Sequence, residues 1–201
     1  FEASVAGGIP IIKTLKESII LSEIKKIYAI LNGTSNYILS NMSKLKISFD
    51  DALKDAQDKG YAESDPTLDI NGEDSAHKLS ILNSIIFSEI PSFKSIHVRG
   101  IENIELIDHH HSYEFGYNIR LIALSHITDN GVYKEVTPML VDKDSSLGRV
   151  DEANNIIKII GQESGDVVLE GQGAGEGPTS SSVISDLIDC ATGSKLHLFS
   201  K

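Results

Sequence analysis

Asp74 and Lys78 stand four residues apart, and Ile81 and Ile85 continue their spacing at i+7 and i+11. On a helix this places a carboxylate and an ammonium on one face with two isoleucines. The polar set His77, Ser80 and Ser84 falls on another face, so the charged pair is not simply the solvated side of the helix. Two readings stay open. As an exposed i,i+4 ion pair, the two contribute only about 0.3–0.5 kcal/mol. As the wall of a polar pocket, a partly desolvated lysine can exchange a proton with a hydroxyl or a carbonyl, which is general acid–base chemistry. The preceding loop, Gly60 to Gly72, carries Glu63, Asp65 and Asp69. Crowded carboxylates raise one another's pKa, a conflict that a small ammonium-bearing ligand would relieve.

Two glycine-rich segments are further candidates. Gly171-Gln172-Gly173-Ala174-Gly175-Glu176-Gly177-Pro178 lies between an apolar run and a helix start, but its third glycine position is wrong for a dinucleotide fingerprint. It reads either as a tight packing turn or as backbone N–H groups that approach a phosphate or carboxamide at a helix N-terminus. In Glu2-Ala3-Ser4-Val5-Ala6-Gly7-Gly8-Ile9-Pro10 the small residues let carbonyl oxygens turn inward, where they can hold a hard cation or merely shape a turn.

The elements that must position these residues follow from periodicity and punctuation. Ile11 to Glu17 reads as a short helix after Pro10, and Ile24 to Leu31 as a strand that Asn32-Gly33 breaks. Thr34, Tyr37, Ile38, Met42 and Leu45 then recur at helical spacing. Ser48, with Asp51 three residues later, opens another helix that Gly60 ends. The Asp74–Lys78 helix runs to about Phe87, and Ser95 to Gly100 reads as a strand. Gly116 to Thr128 and Val132 to Val141 flank Asp129-Asn130-Gly131, a strong hairpin signal. Asn155 to Ile160 and Val167 to Leu169 are shorter apolar runs, and a last helix spans Thr179 to about Ala191. His109-His110-His111 reads as a solvated loop. The order of elements predicts an α+β fold with a largely antiparallel mixed sheet and helices packed on one face.

Composition narrows the classes. The 201 residues are 40% hydrophobic and 23% charged, which excludes collagen-like and disordered chains and is enough for a single core. A net charge of -11 argues against nucleic acid and anionic membrane surfaces as partners. No apolar run reaches the roughly 18 residues of a membrane span. Cys190 has no second cysteine to pair with, so a reducing, cytoplasmic setting is expected.

Four segments, Glu2 to Ile12, Asn32 to Leu39, Gly60 to Lys78 and Gly171 to Asp186, together resemble the catalytic and dimerisation domain of the homoserine dehydrogenase family. The resemblance implies an oxidoreductase that interconverts L-homoserine and L-aspartate 4-semialdehyde with NAD(P), in the branch toward threonine and methionine. It implies that Lys78, beside Asp74, donates the proton to the reacting oxygen, and that Asp74, Glu63, Asp69 and Thr34 hold the amino-acid substrate. Gly60, Gly173 and Gly175 would approach the nicotinamide nucleotide. Glu2, with the carbonyls of Val5, Gly7 and Ile9, would hold a monovalent cation such as Na+. A homodimer is implied as well. The family's nucleotide-binding domain, with its glycine fingerprint and a second functional lysine, would precede Phe1. Residues 1–201 would then be the substrate-binding and dimerisation half, inactive alone. Arg120 stands where the family usually has lysine, which leaves that position's role open. The competing reading is a non-catalytic amino-acid-binding or dimerisation module. Lys78 separates the two, because a site that merely captures a cation gains nothing from a lysine beside its carboxylates.

Overall fold

The computed structural model describes residues 1–19, 22–88 and 90–193. Six strands form one sheet in the order β2-β4-β3-β1-β5-β6. Their ranges are β1 (Ile24–Ile30), β2 (His97–Val98), β3 (Tyr117–Thr128), β4 (Gly131–Asp142), β5 (Asn154–Gly161) and β6 (Gly165–Gln172). All neighbours are antiparallel except β2 and β4. The expected hairpin forms, with Thr128 opposite Gly131 and Tyr117 opposite Asp142. The architecture is therefore the α+β fold with a mostly antiparallel mixed sheet that the sequence predicts.

The helices are α1 (Ile11–Lys13), α2 (Gly33–Leu45), α3 (Phe49–Asp58), α4 (Thr67–Ile70), α5 (Glu73–Ile86), α6 (Leu106–Glu114), α7 (Ser146–Arg149) and α8 (Glu176–Thr192). Their starts have local causes. Asn32 caps α2 by accepting from the Ser35 N–H at 2.8 Å. Ser48 caps α3 by accepting from the Asp51 N–H at 3.2 Å. Gly60, with φ +76, lets the chain leave that helix in the left-handed region.

Strand register sorts the core. Val136, Ala123, Ala29, Ile157 and Leu169 lie in one cross-strand row, and this face packs with α2 and α5 residues such as Ile38, Met42, Leu79 and Leu82. The next row belongs to the opposite face. There Ile30, Ile122, Leu124, Val150 and Ile156 form a smaller cluster, to which the short α7 adds Leu147.

Several expectations need correction. The Ser95–Gly100 strand shrinks to β2, since Ser95 closes a helical turn, Phe93–Ser95, and Gly100 packs against the Ile70 carbonyl and Asn71 where a Cβ would not fit. The loop from Gly60 to Gly72 contains one helical turn, α4. The last helix starts three residues early, at Glu176, with Gly175 as its N-cap. On α5, Ser80 and Ser84 are buried and only His77 of the expected polar face is exposed. Small hydroxyls can be buried when they find a local acceptor, as Ser84 does by donating to the Ile81 carbonyl at 2.7 Å.

The three histidines are helical, in α6, rather than in a loop. The helix starts with a capping box in which Glu105 and Asp108 satisfy each other's backbone N–H groups. His110 and His111 are exposed, whereas His109 is 1% exposed and neither ring nitrogen has a hydrogen-bond partner. Burial, reinforced by the Arg120 charge, lowers the His109 pKa to about 4. The folded protein thus resists a proton that the unfolded chain accepts near pH 6.5. Stability contributed by neutral His109 is present above that value and is lost as the pH falls toward about 4. Calorimetry from pH 7 to 5 should show a falling Tm in the native protein and a shallower fall in His109→Gln. Equal slopes would show that His109 is not the linked group.

Candidate active site

A cavity of about 490 Å³ opens where β1 ends and α2 begins. Asn32 and Thr34 line one side, Asp69, Asp74 and Lys78 a second, and Asn155 with Gly173 and Gly175 a third. Gly60 and Tyr61 close the rim.

Lys78 Nζ donates to Asp74 Oδ2 at 2.7 Å and to the Leu31 carbonyl at 3.0 Å. The side chains of Lys78 and Asp74 are 22% and 29% exposed, so this is a half-buried pair in the cavity wall. It is not the weak surface bridge that spacing alone allows. Residues that bind the Lys78 neighbourhood come from distant parts of the chain. Asn155 Nδ2 donates to the same Leu31 carbonyl at 3.0 Å. Its Oδ1 is buried and has no partner.

Asn32 joins the carboxylates. Its Nδ2 donates to Asp69 Oδ1 at 2.7 Å and to Asp74 Oδ2 at 2.8 Å, while its Oδ1 accepts from the Ser35 N–H and hydroxyl. Burial raises the Asp69 pKa, the Asn32 bond opposes that shift, and the Asp74 charge adds to it. The sequence shows Asn32 only as a strand breaker. A polar residue ahead of a helical run is a cap signal, but its second role across the cavity depends on contacts 37 and 42 residues away.

The other expected positions are more dispersed. Thr34 donates its hydroxyl to the Tyr61 carbonyl at 2.7 Å, which ties the rim to α2. Glu63 is exposed and lines an adjoining cavity of about 410 Å³, which shares Gly60, Tyr61, Asp69 and Asp74 with the first. Asp65 does not share the expected charge conflict. It accepts from the Thr67 hydroxyl at 2.6 Å and N–H at 3.2 Å, and these bonds lower its pKa.

Gly173 has a packing role of its own, since a Cβ there would stand 2.2 Å from the Asn155 carboxamide. Any side chain would push Asn155 off the Leu31 carbonyl. Gly175, at φ +114, is the N-cap of the 17-residue α8 and supplies no side-chain cap, so the N–H groups of Glu176 and Gly177 that open the helix have no side-chain acceptor from the cap residue.

Three of the four expected cation ligands, Glu2, Gly7 and Ile9, have partners within the protein. Glu2 is buried, and its two oxygens accept from the Ile12 and Lys13 N–H groups at 2.8 and 2.9 Å. The Gly7 carbonyl accepts from the Ser182 hydroxyl at 2.6 Å, and the Ile9 carbonyl from the Ile11 N–H at 2.7 Å. These bonds pin α1 and α8 to the first residues.

Residues 10–188 match the family model described as Homoserine dehydrogenase. The homoserine dehydrogenase of Helicobacter pylori is 47% identical over 95% of this chain and 45% of its own length, and that of Neisseria gonorrhoeae is 41% identical over 95% and 44%. A homoserine dehydrogenase from Thiobacillus denitrificans superposes with a TM-score of 0.95 at 41% identity, covering 100% of this chain and 48% of that one. A hyperthermophilic archaeal homoserine dehydrogenase mutant in complex with NADPH gives 0.82 at 30% identity, covering 98% and 57%. The chain spans about half the length of the curated relatives it matches. With the family model covering most of the residues, the chain belongs to the homoserine dehydrogenase family.

Proposed function

We propose that this chain supplies the substrate-binding and catalytic half of an enzyme that interconverts L-homoserine and L-aspartate 4-semialdehyde with NAD(P). The observation that carries this reading is the half-buried Lys78 ammonium, anchored at the wall of a cavity that holds two further carboxylates. A simple amino-acid trap has no use for a cation there.

The cavity suits a nicotinamide nucleotide on its glycine side. Asn155 Oδ1 is a buried acceptor in need of a donor, which a carboxamide N–H provides, and amides at the head of α8 offer the complementary donors. Gly60 and Gly175 present backbone rather than side chain to that side. Bound NAD(P)H would supply the hydride that reduces the aldehyde carbon. Lys78 would deliver its proton to the aldehyde oxygen as negative charge develops there, and would take it back from the hydroxyl in the reverse direction. Asp74 and the Leu31 carbonyl hold that ammonium in place. Asp69, with Glu63 at the adjoining cavity, would receive the substrate ammonium, which removes the Asp69–Asp74 repulsion. The Glu2 carboxylate serves to hold the start of α1 through two backbone N–H groups, and no step of the reaction is assigned to a monovalent cation.

The same reading extends to assembly. Among the described residues the hydrophobic cluster on the sheet face bearing Tyr28, Leu124, Glu135, Lys158 and Val168 takes a helical side chain from α7 alone, and we propose that this face meets its counterpart in a homodimer. Light scattering at micromolar concentration should give twice the protomer mass. A monodisperse monomer would exclude this arrangement.

Kinetics on the complete enzyme test the chemistry. Lys78→Ala should lower kcat by roughly 10²–10⁴-fold with little change in KM for the aldehyde, because the oxygen becomes basic only as hydride arrives. Glu63→Ala should mainly raise KM, since its charge meets the substrate ammonium equally in ground and transition states. Near-normal kcat in a folded Lys78→Ala variant would reduce Lys78 to a structural partner of Asp74.

A further inference from the structure

A second cavity, of about 480 Å³, lies beyond the far end of α2 from the candidate active site. Its walls carry five cationic side chains, Lys44, Lys46, Arg120, Lys143 and Arg149, against one carboxylate, Asp151. In a chain of net charge -11 such a concentration of positive charge is opposite to the average surface.

The charges are poorly compensated. Asp151 is shared between Lys44 at 3.0 Å and Arg120 at 3.4 Å. Lys46 and Lys143 both lie against the Tyr113 ring, 5.4 and 5.3 Å from its centroid, so two ammoniums share one aromatic ring. Among the described residues no carboxylate forms an ion pair with Lys46, Lys143 or Arg149. Arg120 is 2% exposed, and its Nε has no partner. The C-terminus of α2 favours cations at Lys44 and Lys46, but it does not account for Arg120 on β3 or for Lys143 and Arg149 around α7. Three separate segments bring positive charge to one concave surface, and the Ser40 and Ser43 hydroxyls lie between them.

We propose that this cavity binds a small, multiply charged oxyanion of the phosphate or polycarboxylate class, seated among Lys46, Lys143 and Arg149 over Arg120. The ammoniums and guanidinium groups supply charge-assisted donors, and Asp151 is already occupied by its own cations. The site is separate from the candidate active site but shares α2 with it, and Asp151 directly precedes Glu152 to Asn155 in the active-site wall.

The test uses the purified native protein with potassium phosphate or potassium citrate, each compared with KCl at matched ionic strength. Thermal unfolding and isothermal titration should show saturable stabilisation and heat with at least one oxyanion and none with KCl. Response to phosphate alone assigns the phosphate class, to citrate alone the polycarboxylate class, and to both their shared chemistry. The double variant Lys143→Ala, Arg149→Ala should weaken binding roughly tenfold or more, while Lys54→Ala on α3 should bind as the native protein does. Arg149→Glu, at an exposed position, gives a second reading if the double variant folds poorly. Absence of saturable binding, or binding that survives both cavity variants, would overturn the proposal and place any bound anion elsewhere.

Discussion

One carboxamide holds the candidate active site together. Asn32 donates to Asp69 and Asp74 at once, and so keeps two partly buried carboxylates close enough to share a cavity wall. Left alone, the carboxylates would repel each other, and burial would push at least one toward its neutral form. Lys78 completes the arrangement by pairing with Asp74 and bonding to the Leu31 carbonyl. Because Asn32 also caps α2, the same side chain fixes where the helix begins and where the acids stand. Half-buried charge is tolerable only when all its partners are in place, so β1, α2, α4 and α5 are constrained together.

The sheet explains why this point of the fold can be so polar. β1 is central, flanked by β3 and β5, and its last residues are buried on both sides. Beyond Ile30 the strand has no ladder left to form, and the Leu31 carbonyl would lie unpaired at the edge of the core. Lys78 and Asn155 both donate to it, from α5 and β5. A backbone acceptor that the sheet cannot satisfy thereby becomes the anchor for two functional side chains.

Local signals were legible in the sequence, and contacts made across it were not. The hairpin at Asp129-Asn130-Gly131, the Ser48 cap and the Asp74–Lys78 spacing each depend on residues within a few positions of one another, and each was found where the pattern put it. The start of α6 is also a local signal, but it is made of Glu105 and Asp108 instead of a serine or threonine, which leaves three consecutive histidines reading as a loop. Asn32 and Asn155 could not be identified from spacing, since their partners are fixed by strand register and by the turn between α3 and α5. Glu2 has a structural role that its sequence surroundings do not show. Its carboxylate caps the following helix through two backbone bonds from residues ten and eleven positions away.

Arg120 shows how the shape of one side chain can tie several elements together. Its Nη1 donates to the Ser40 hydroxyl at 3.1 Å, and its Nη2 donates to the Gly148 carbonyl at 3.0 Å and faces Asp151 at 3.4 Å. These partners belong to α2, α7 and the segment ahead of β5. A lysine carries its charge at one point and cannot reach three groups in these directions simultaneously, whereas a guanidinium fork can. The Gly148 carbonyl also accepts from Asn118 Nδ2 at 2.9 Å, so β3 holds α7 through two side chains. The glycine at 148 is required by the same closeness, because a Cβ there would stand 2.0 Å from the Asp142 carbonyl oxygen. Arginine therefore acts here as a brace between elements that reach the active-site wall at one end and the cationic cavity at the other.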